Sequence, residues 1–521
     1  MSYGEMVGFK NKFGYGGITP LPCSKLVVKH ENESASIKWN DSKDTIIDGN
    51  LLCSWNRTVI VRKKGDYPTS LTDGKQVLVN SKRDYYATTP FIDSDFELGD
   101  TPSDFYYMAF PQSDTGATSI NERNQFKTDV YSFRKVKNNS NPSTRIEYTG
   151  NTTVMDKAYM DYESGTFNYG SWKNAFFMPK PCMLNYNGNV EYYLKETDYT
   201  KKEDGSASDV ANTDFAGNAM MEFPTVWLYI YQDDEYEYYN ISDKQIDSNY
   251  KCYAHHDANG NIMPYTYMPI YNGANVSSKL RSISGLAPLS GTNAQTEINY
   301  ATENGDNWNI EVLADRMLVN VLLMLIGKST DTQAVFGNGN YTGGVSASNT
   351  LATGTMNTKG LFYGSSATTG TRVGVKVFGM ENYWGNIWRR IAGWINDNGT
   401  QKVKMTYGTE DGSTVQGYNL TGDGYIPLIG LTPAGTSGGY ISKTSANQYG
   451  VFPYQASGSQ TMYETDGMYF DNSQVNAFAA VGGGSGSGFI CGAFSMDMSS
   501  AAIAAAWYFG ASPSCKPTVD A

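Results

Sequence analysis

Few residues in this chain have the type and spacing that chemistry demands. Two of its three histidines, His255 and His256, stand beside Cys252 in CYAHHDANGN. A tetrahedral zinc site takes four ligands, normally as two spaced pairs, so three neighbours without a second pair read as a hairpin. The third histidine, His30, is far off in sequence, which leaves a Ser-His-Asp triad with few candidates. Six cysteines, Cys23, Cys53, Cys182, Cys252, Cys491 and Cys515, contain no CxxC pair, which argues against a zinc ribbon or redox motif and predicts mostly free, buried thiols. The run YQDDEYEYYN supplies carboxylates at Asp233, Asp234, Glu235 and Glu237. Glycosidase chemistry needs two of them across a cleft, one held protonated by burial; a run like this reads instead as a solvated turn between strands. Gly327-Lys328-Ser329 spells the end of a phosphate-binding loop, but the required upstream glycine is Leu322, so a helix end explains it better. No catalytic residue, metal ligand or cofactor is expected from these patterns.

Composition bounds the partners. Of 521 residues, 40 are Lys or Arg and 52 Asp or Glu, a net charge of −12, the wrong sign for tracking phosphates, so nucleic-acid binding is not expected. Charged residues reach 18%, below the roughly 25% of ordinary domains. Aromatics reach 13%, with 39 Tyr, which argues against disorder, and 54 Gly argue against long helices. Tyr, Gly, Asn, Ser and Thr together are the chemistry of recognition surfaces. The start, MSYGEMVGFKNKFGYGG, has no apolar core of signal-peptide length. The longest apolar stretch, Met317 to Ile326, is interrupted by Asn320 and flanked by Asp315 and Arg316; it is too short for a bilayer, so a buried helix and no membrane insertion are expected.

The elements that would hold such a surface are mostly strands. Residues 1–23 are Gly- and aromatic-rich and read as an arm that orders against a partner, or as a frayed terminus. Residues 24–133 read as a β-sandwich, with strands at 26–28, 35–39, 58–62, 76–79 and 105–110 between turns such as Thr72-Asp73-Gly74. Residues 134–146, RKVKNNSNPSTRI, read as a linker. From 147 to 521 many short strands, such as 226–231, alternate with turns such as Asp257–Gly260. A helix is predicted from Asn309 to about Ile326, stopped by Gly327, and a shorter one over 207–212. The Gly-, Ser-, Thr- and Asn-rich stretch 337–372 reads as an exposed loop.

Two resemblances add to this. SIKWND, TVIVRKKGDYP, TDGKQVLV and FELGDTPSDFYYMAFP resemble, at pattern level, a fibronectin type III-like module of the sort appended to phage tail and fibre proteins. GMENYWGNIWRRIAGWI, Gly379 to Ile395, gathers Trp384, Trp388 and Trp394 with Ile387 and Ile391. It resembles the GN-x-W-E-W signature of C-type-lectin-like folds, seen in formylglycine-generating enzymes and in the target proteins of diversity-generating retroelements. Gly385, Asn386, Ile387 and Trp388 match, while Arg389 and Arg390 stand in place of Glu-Trp. The segment Val481 to Cys515 is similar to the closing strands of that fold, and FFMPKPCMLNYNG, LRSISG, EVLADRMLVNVLLMLIGKSTDTQAVFG and TKGLFYG resemble gut-phage tail adhesins, over roughly 165–517.

The resemblance implies a fold class that is mainly β with α+β: a fibronectin III-like sandwich over 24–133, then a C-type-lectin-like domain over 147–521. It also implies a virion protein on the particle surface that binds a bacterial cell-surface receptor, glycan or protein. The N-terminal arm would meet other virion proteins, and a homotrimer is expected by analogy with fibres, since no heptads are visible. Relatives diversify positions in the last segment. Carried over, these are Ser485, Ser487, Phe489, Ser495, Asp497, Ser499, Ser500, Ile503, Ala504, Ala506 and Tyr508, with Trp384, Gly385, Asn386, Trp388, Cys491 and Trp507 as frame. Along Phe494–Met498 the alternation would put Ser495 and Asp497 on one face, opposite the apolar residues. Against a binding role, Ser499–Ala506 also reads as an ordinary small-residue loop. Enzyme activity is not expected: Cys491 and Cys515 are not the close cysteine pair of formylglycine-generating enzymes. Calcium-dependent sugar binding lacks its EPN or QPD, and WND occurs only as Trp39-Asn40-Asp41, at a strand end in the N-terminal module. The alternatives are a structural head, collar or tail component and a surface-glycan hydrolase.

Overall fold

Alternating apolar residues between turns set the strands of the N-terminal part. The computed structural model describes residues 19–519 except 31–32, 48, 101, 122–123, 129, 174, 343, 345, 367–371 and 434–437, so most of the arm expected over 1–23 lies outside the described residues. The chain is mainly β, with three α-helices among the described residues. It forms two units, Met1–Val130 with Ser242–Lys244, and Tyr131–Ile241 with Gln245–Ala521.

In the first unit, Ala35–Asn40 pairs antiparallel with Ser24–His30 and Phe91–Asp93, and Lys127–Thr128 adds in parallel to Ser24–His30. A second sheet pairs Trp55–Lys64 antiparallel with Lys75–Asn80 and Phe105–Ser113. Val28, Ile37 and Trp39 from one sheet and Ile60, Tyr107 and Ala109 from the other form one buried cluster. The WND triplet closes a strand: Trp39 Nε1 and Thr58 Oγ1 donate to Asp41 Oδ1 at 2.8 and 2.5 Å, and Asn80 Nδ2 donates to Asp41 Oδ2 at 2.9 Å.

In the second unit a seven-stranded sheet runs Asp198–Lys202, Val190–Lys195, Lys180–Asn185, Gly217–Pro224, Tyr265–Pro269, Pro513–Cys515, Trp308–Ile310. An eight-stranded sheet runs Ile426–Pro427, Thr400–Val403, Trp388–Asp397, Ala477–Val481, Met496–Met498, Gly467–Phe470, Gly439–Tyr440, with Phe509–Gly510 pairing in parallel to Trp388–Asp397. The helix Leu313–Gly327 is buried at every residue. Such a helix can be apolar all round, but its polar side chains then need partners. Asp315 accepts from Ser514 Oγ at 2.7 Å and pairs with Lys516; Arg316 donates to the carbonyls of Tyr383 and Ala493 at 3.1 and 2.8 Å; Asn320 Nδ2 donates to Ala493 O at 2.8 Å.

Five sequence expectations change. The linker expected over 134–146 is a hairpin: Tyr131–Val136 and Ile146–Thr149 pair antiparallel, and Tyr236–Ser242 pairs with the first. Two of its charges, Lys135 and Arg145, turn inward, and Lys135 lies opposite Glu237 in register. Lys135 Nζ sits 2.7 Å from Glu237 and 2.8 Å from Glu464, and Arg145 lies 3.0 Å from Glu464, all buried. Glu237, expected in a solvated turn, is therefore an interior ion, while Asp233, Asp234 and Glu235 stay exposed. The long helix starts at Leu313, because Trp308–Ile310 is a strand on Pro513–Cys515. It ends with Lys328 in the left-handed conformation (φ 50°), its N–H on Met324 O. Gly327 stays helical, where a Cβ would press Val335 at 3.0 Å and the Phe336 ring at 3.1 Å. No helix forms over 207–212, where Ser208 N and Oγ donate to Thr200 O and Tyr199 O at 2.9 and 2.6 Å. Finally, much of 337–372 is packed inward: Asn340, Tyr341, Met356, Leu361 and Phe362 are buried. The Glu381 carboxylate answers its backbone, accepting from Gly354 N at 2.8 Å and Met356 N at 2.9 Å.

Burial works against the charge on Glu464, but Arg145 and Lys135 outweigh it and hold the carboxyl below its usual range. Glu464→Gln leaves Arg145 without its buried counterion and two cations sharing Glu237, and denaturant titration should show a loss of about 3 kcal/mol. A change under about 1 kcal/mol means the ion group is not a stabilising unit.

Candidate functional site

The turn Gly385–Trp388 begins with backbone that glycine and asparagine tolerate. Gly385 has φ 71° and a Cβ there would lie 2.9 Å from Asn340 N; Asn386 has φ 69°. The Asn386 side chain is buried. Its Oδ1 accepts from Asn340 Nδ2 at 3.0 Å and Leu351 N at 2.6 Å, its Nδ2 donates to Asn272 Oδ1 at 3.0 Å, and its carbonyl accepts from Ser485 N at 3.1 Å. One side-chain amide thus bonds three residues, and the backbone carbonyl of the same residue holds a fourth. Trp384 is fully buried and donates to Gly337 O at 3.0 Å. Trp388–Asp397 follows, buried on both faces until its last residue. Arg389 pairs with Glu311 at 2.9 Å. Arg390 pairs with Glu297 at 2.7 Å and donates to Ala504 O at 2.5 Å.

That last bond brings the C-terminal candidates to this strand. Ala504, Ala506, Tyr508 and Ile490 pack partly buried on Trp388, Ala480 and Phe509. The loop backbone is fixed throughout: Ala502 N donates to Asn476 O at 3.1 Å, Ala294 N to Ala502 O at 3.0 Å, and Gly291 N to Ala506 O at 3.0 Å. Ile503 stands out at 81% exposure, and Phe489 at 38% leans on Tyr341 with ring centres 5.1 Å apart. Ser487, Ser499 and Ser500 are half-buried.

Three candidates are not at the surface. Ser485 is buried and donates to Gly344 O at 3.1 Å. Ser495 is buried and donates to Ile490 O. Asp497 is 9% exposed and accepts from Ser499 N and Oγ at 2.8 and 2.6 Å. Alternation misleads here because Met496–Met498 is an inner strand, paired with Gly467–Phe470 on one side and Ala477–Val481 on the other, and all of 494–498 is covered. Burial pushes the Asp497 carboxyl above its usual range, opposed by Ser499 and the Arg390 charge. Conversely Trp507, expected as frame, is half-exposed, edge-on to Tyr508 at 5.5 Å. Cys491 is buried and its Sγ donates to Gly484 O at 3.5 Å.

No family model and no curated protein matches this chain.

Sequence reading missed Tyr469 and Val475, exposed at 38% and 50%, and Arg390 as the loop's anchor. Tyr469 is edge-on to Trp388 at 6.2 Å; Val475 precedes Asn476, whose carbonyl holds Ala502. Nothing local marks either residue. Elsewhere, all six cysteines are buried and free of disulfides. Among the described residues no three His, Cys, Asp or Glu side chains gather so as to hold a metal ion, and no helix is long and apolar enough to cross a membrane. His255 is fully buried. The Phe223 and Pro224 backbone lies near its ring without a well-formed hydrogen bond, and Cys252 Sγ is 3.8 Å from His256 Nε2.

Two outcomes follow from this geometry. Asn386→Ala removes the shared amide and places alanine at φ 69°, so thermal or denaturant unfolding should show a loss of about 3 kcal/mol. Burial first, then the Lys516 charge, push His255 down to about 3. Its folded value lies below the unfolded imidazole value, so the contribution is intact at neutral pH and fades as pH falls through about 6.5. Between pH 7 and 5 the native chain should lose on the order of 2 kcal/mol more stability than His255→Phe.

Proposed function

We propose that this chain is a bacteriophage virion adhesin, with a fibronectin III-like module ahead of a C-type-lectin-like domain, that binds the bacterial host surface without covalent chemistry. The carrying observation is the loop Ser499–Tyr508: its backbone is bonded at Asn476, Ala294, Gly291 and Arg390, yet it exposes Ile503 and half-exposes Trp507 and Tyr508. A surface ordered before contact loses little entropy on binding, which suits recognition. The two-sheet core around Trp39 supports the fibronectin-like reading, and the Gly385–Trp388 turn supports the lectin-like one. In this reading the N-terminal segment meets other virion proteins and the chain assembles as a homotrimer.

Labelled full-length chain should bind susceptible bacteria and compete with adsorption of the phage that carries it. Phe489→Ala and Tyr508→Ala should each lower binding about tenfold, with melting shifts of no more than about 3 °C. Normal folding with no binding points to a structural component, and release of sugar from host capsule points to a hydrolase.

A further inference from the structure

From Asn472 to Cys515 the sequence carries one charged side chain, Asp497, and the fold buries it. In a chain of net charge −12 this leaves the candidate face without an exposed charge from its own segment. The nearest counterexample is Asp471, at the base of the neighbouring loop, whose carboxylate accepts from Ser473 N and Oγ at 2.8 and 2.7 Å. A teichoic acid, a lipid phosphate or an acidic sugar would need cations to replace its hydration, and Arg390, the arginine that holds Ala504, is buried against Glu297.

Four of the five candidate serines are committed as well. Ser485, Ser487, Ser495 and Ser499 all bond within the chain: Ser487 Oγ accepts from Gly484 N at 2.9 Å, and the others donate to Gly344 O, Ile490 O and Asp497. Neutral sugars are held by convergent hydrogen bonds, and four of the five serines here spend theirs within the chain. What it offers outward is Ile503, with Phe489 and the Trp507–Tyr508 pair, and Val475 on the adjoining loop. Depletion of charge with aromatic enrichment marks the core of a protein–protein interface. A branched aliphatic knob on a fixed backbone fits an apolar pocket better than a sugar ring.

We propose that the ligand of this face is a surface protein presenting an uncharged apolar pocket, with Ile503 as the anchor that enters it. This rests on the adhesin reading above and specifies its partner. Attraction is then short-ranged, so affinity is nearly independent of salt.

Flow cytometry with labelled full-length chain on a bacterial strain that it binds tests this directly. Raising NaCl from 50 to 500 mM should change the apparent Kd by less than about threefold. Proteinase K treatment of the cells should abolish binding, and periodate oxidation should leave it. Ile503→Asp should weaken binding at least about tenfold with unchanged melting, while Ile503→Leu should keep it within about threefold. Binding that weakens tenfold with salt, that survives proteinase K but not periodate, or that ignores Ile503→Asp overturns the protein-pocket inference and leaves the adhesin reading standing. A folded chain that binds no strain overturns both. If Ile503→Asp instead dissociates an oligomer of the native chain, the face is an interface between copies and the inference fails.

Discussion

The helix Leu313–Gly327 is enclosed on every side, yet it carries Asp315, Arg316 and Asn320. An unanswered charge in such a place is far costlier than any single apolar contact is favourable. Each of these side chains must therefore find fixed partners, and those partners lie on different elements: Ser514 and Lys516 beside the seven-stranded sheet, Tyr383 ahead of the Gly385–Trp388 turn, and Ala493 ahead of an inner strand of the eight-stranded sheet. Two guanidiniums, Arg316 and Arg389, also sit on the Tyr383 ring at 3.9 and 5.0 Å, with Glu311 paired to the second. The helix thus serves as the common reference for strands that are far apart in sequence. A shift of any one of them would break a buried pair.

The candidate face inherits its order from that core. Asn386 joins Asn272, Asn340, Leu351 and Ser485 through one side chain and one carbonyl, next to the Trp384 that closes the Gly337 turn. Four residues after Asn386, Arg390 leaves the strand Trp388–Asp397 to hold Ala504. The Arg-Arg pair that departs from the familiar Glu-Trp pattern is therefore interior, and one member is the loop's tether. The loop is secured through its backbone, which every residue type shares, so its side chains are left out of the tether.

Local signals were readable where they depend on neighbours in sequence. The strands at 35–39, 58–62 and 105–110, the long helix, the buried thiols and the aromatic turn around Trp384 and Trp388 all follow from alternation, helical spacing or composition. The expectations that failed at the linker, at Glu237, over 337–372 and at the buried serines share one reason, which is that charge and polarity were taken as marks of exposure. Lys135, Arg145 and Glu237 are polar in a linear reading, but Lys135 meets Glu237 about a hundred residues away, and both cations meet Glu464 more than three hundred residues away. The stretch 337–372 looks like open loop until Glu381 and Asn386 supply its backbone with partners. Ser485 and Ser495 belong to the same class: small hydroxyls that could face water and are instead used inside.

By itself the sequence determined a mainly β chain, low in charge and rich in tyrosine and glycine, with a tryptophan-bearing Gly-Asn turn and an almost uncharged last segment. Those properties are sums and short-range patterns, and they hold whatever the chain does later. Only the tertiary structure decided which polar atoms are answered from inside, and so which residues of the last segment remain at the surface: Ile503, Phe489, Trp507 and Tyr508 outside, Ser485, Ser495 and Asp497 within. The reason is that burial of a polar group is settled by its hydrogen-bond partner, and in this protein that partner is often a hundred or more residues away.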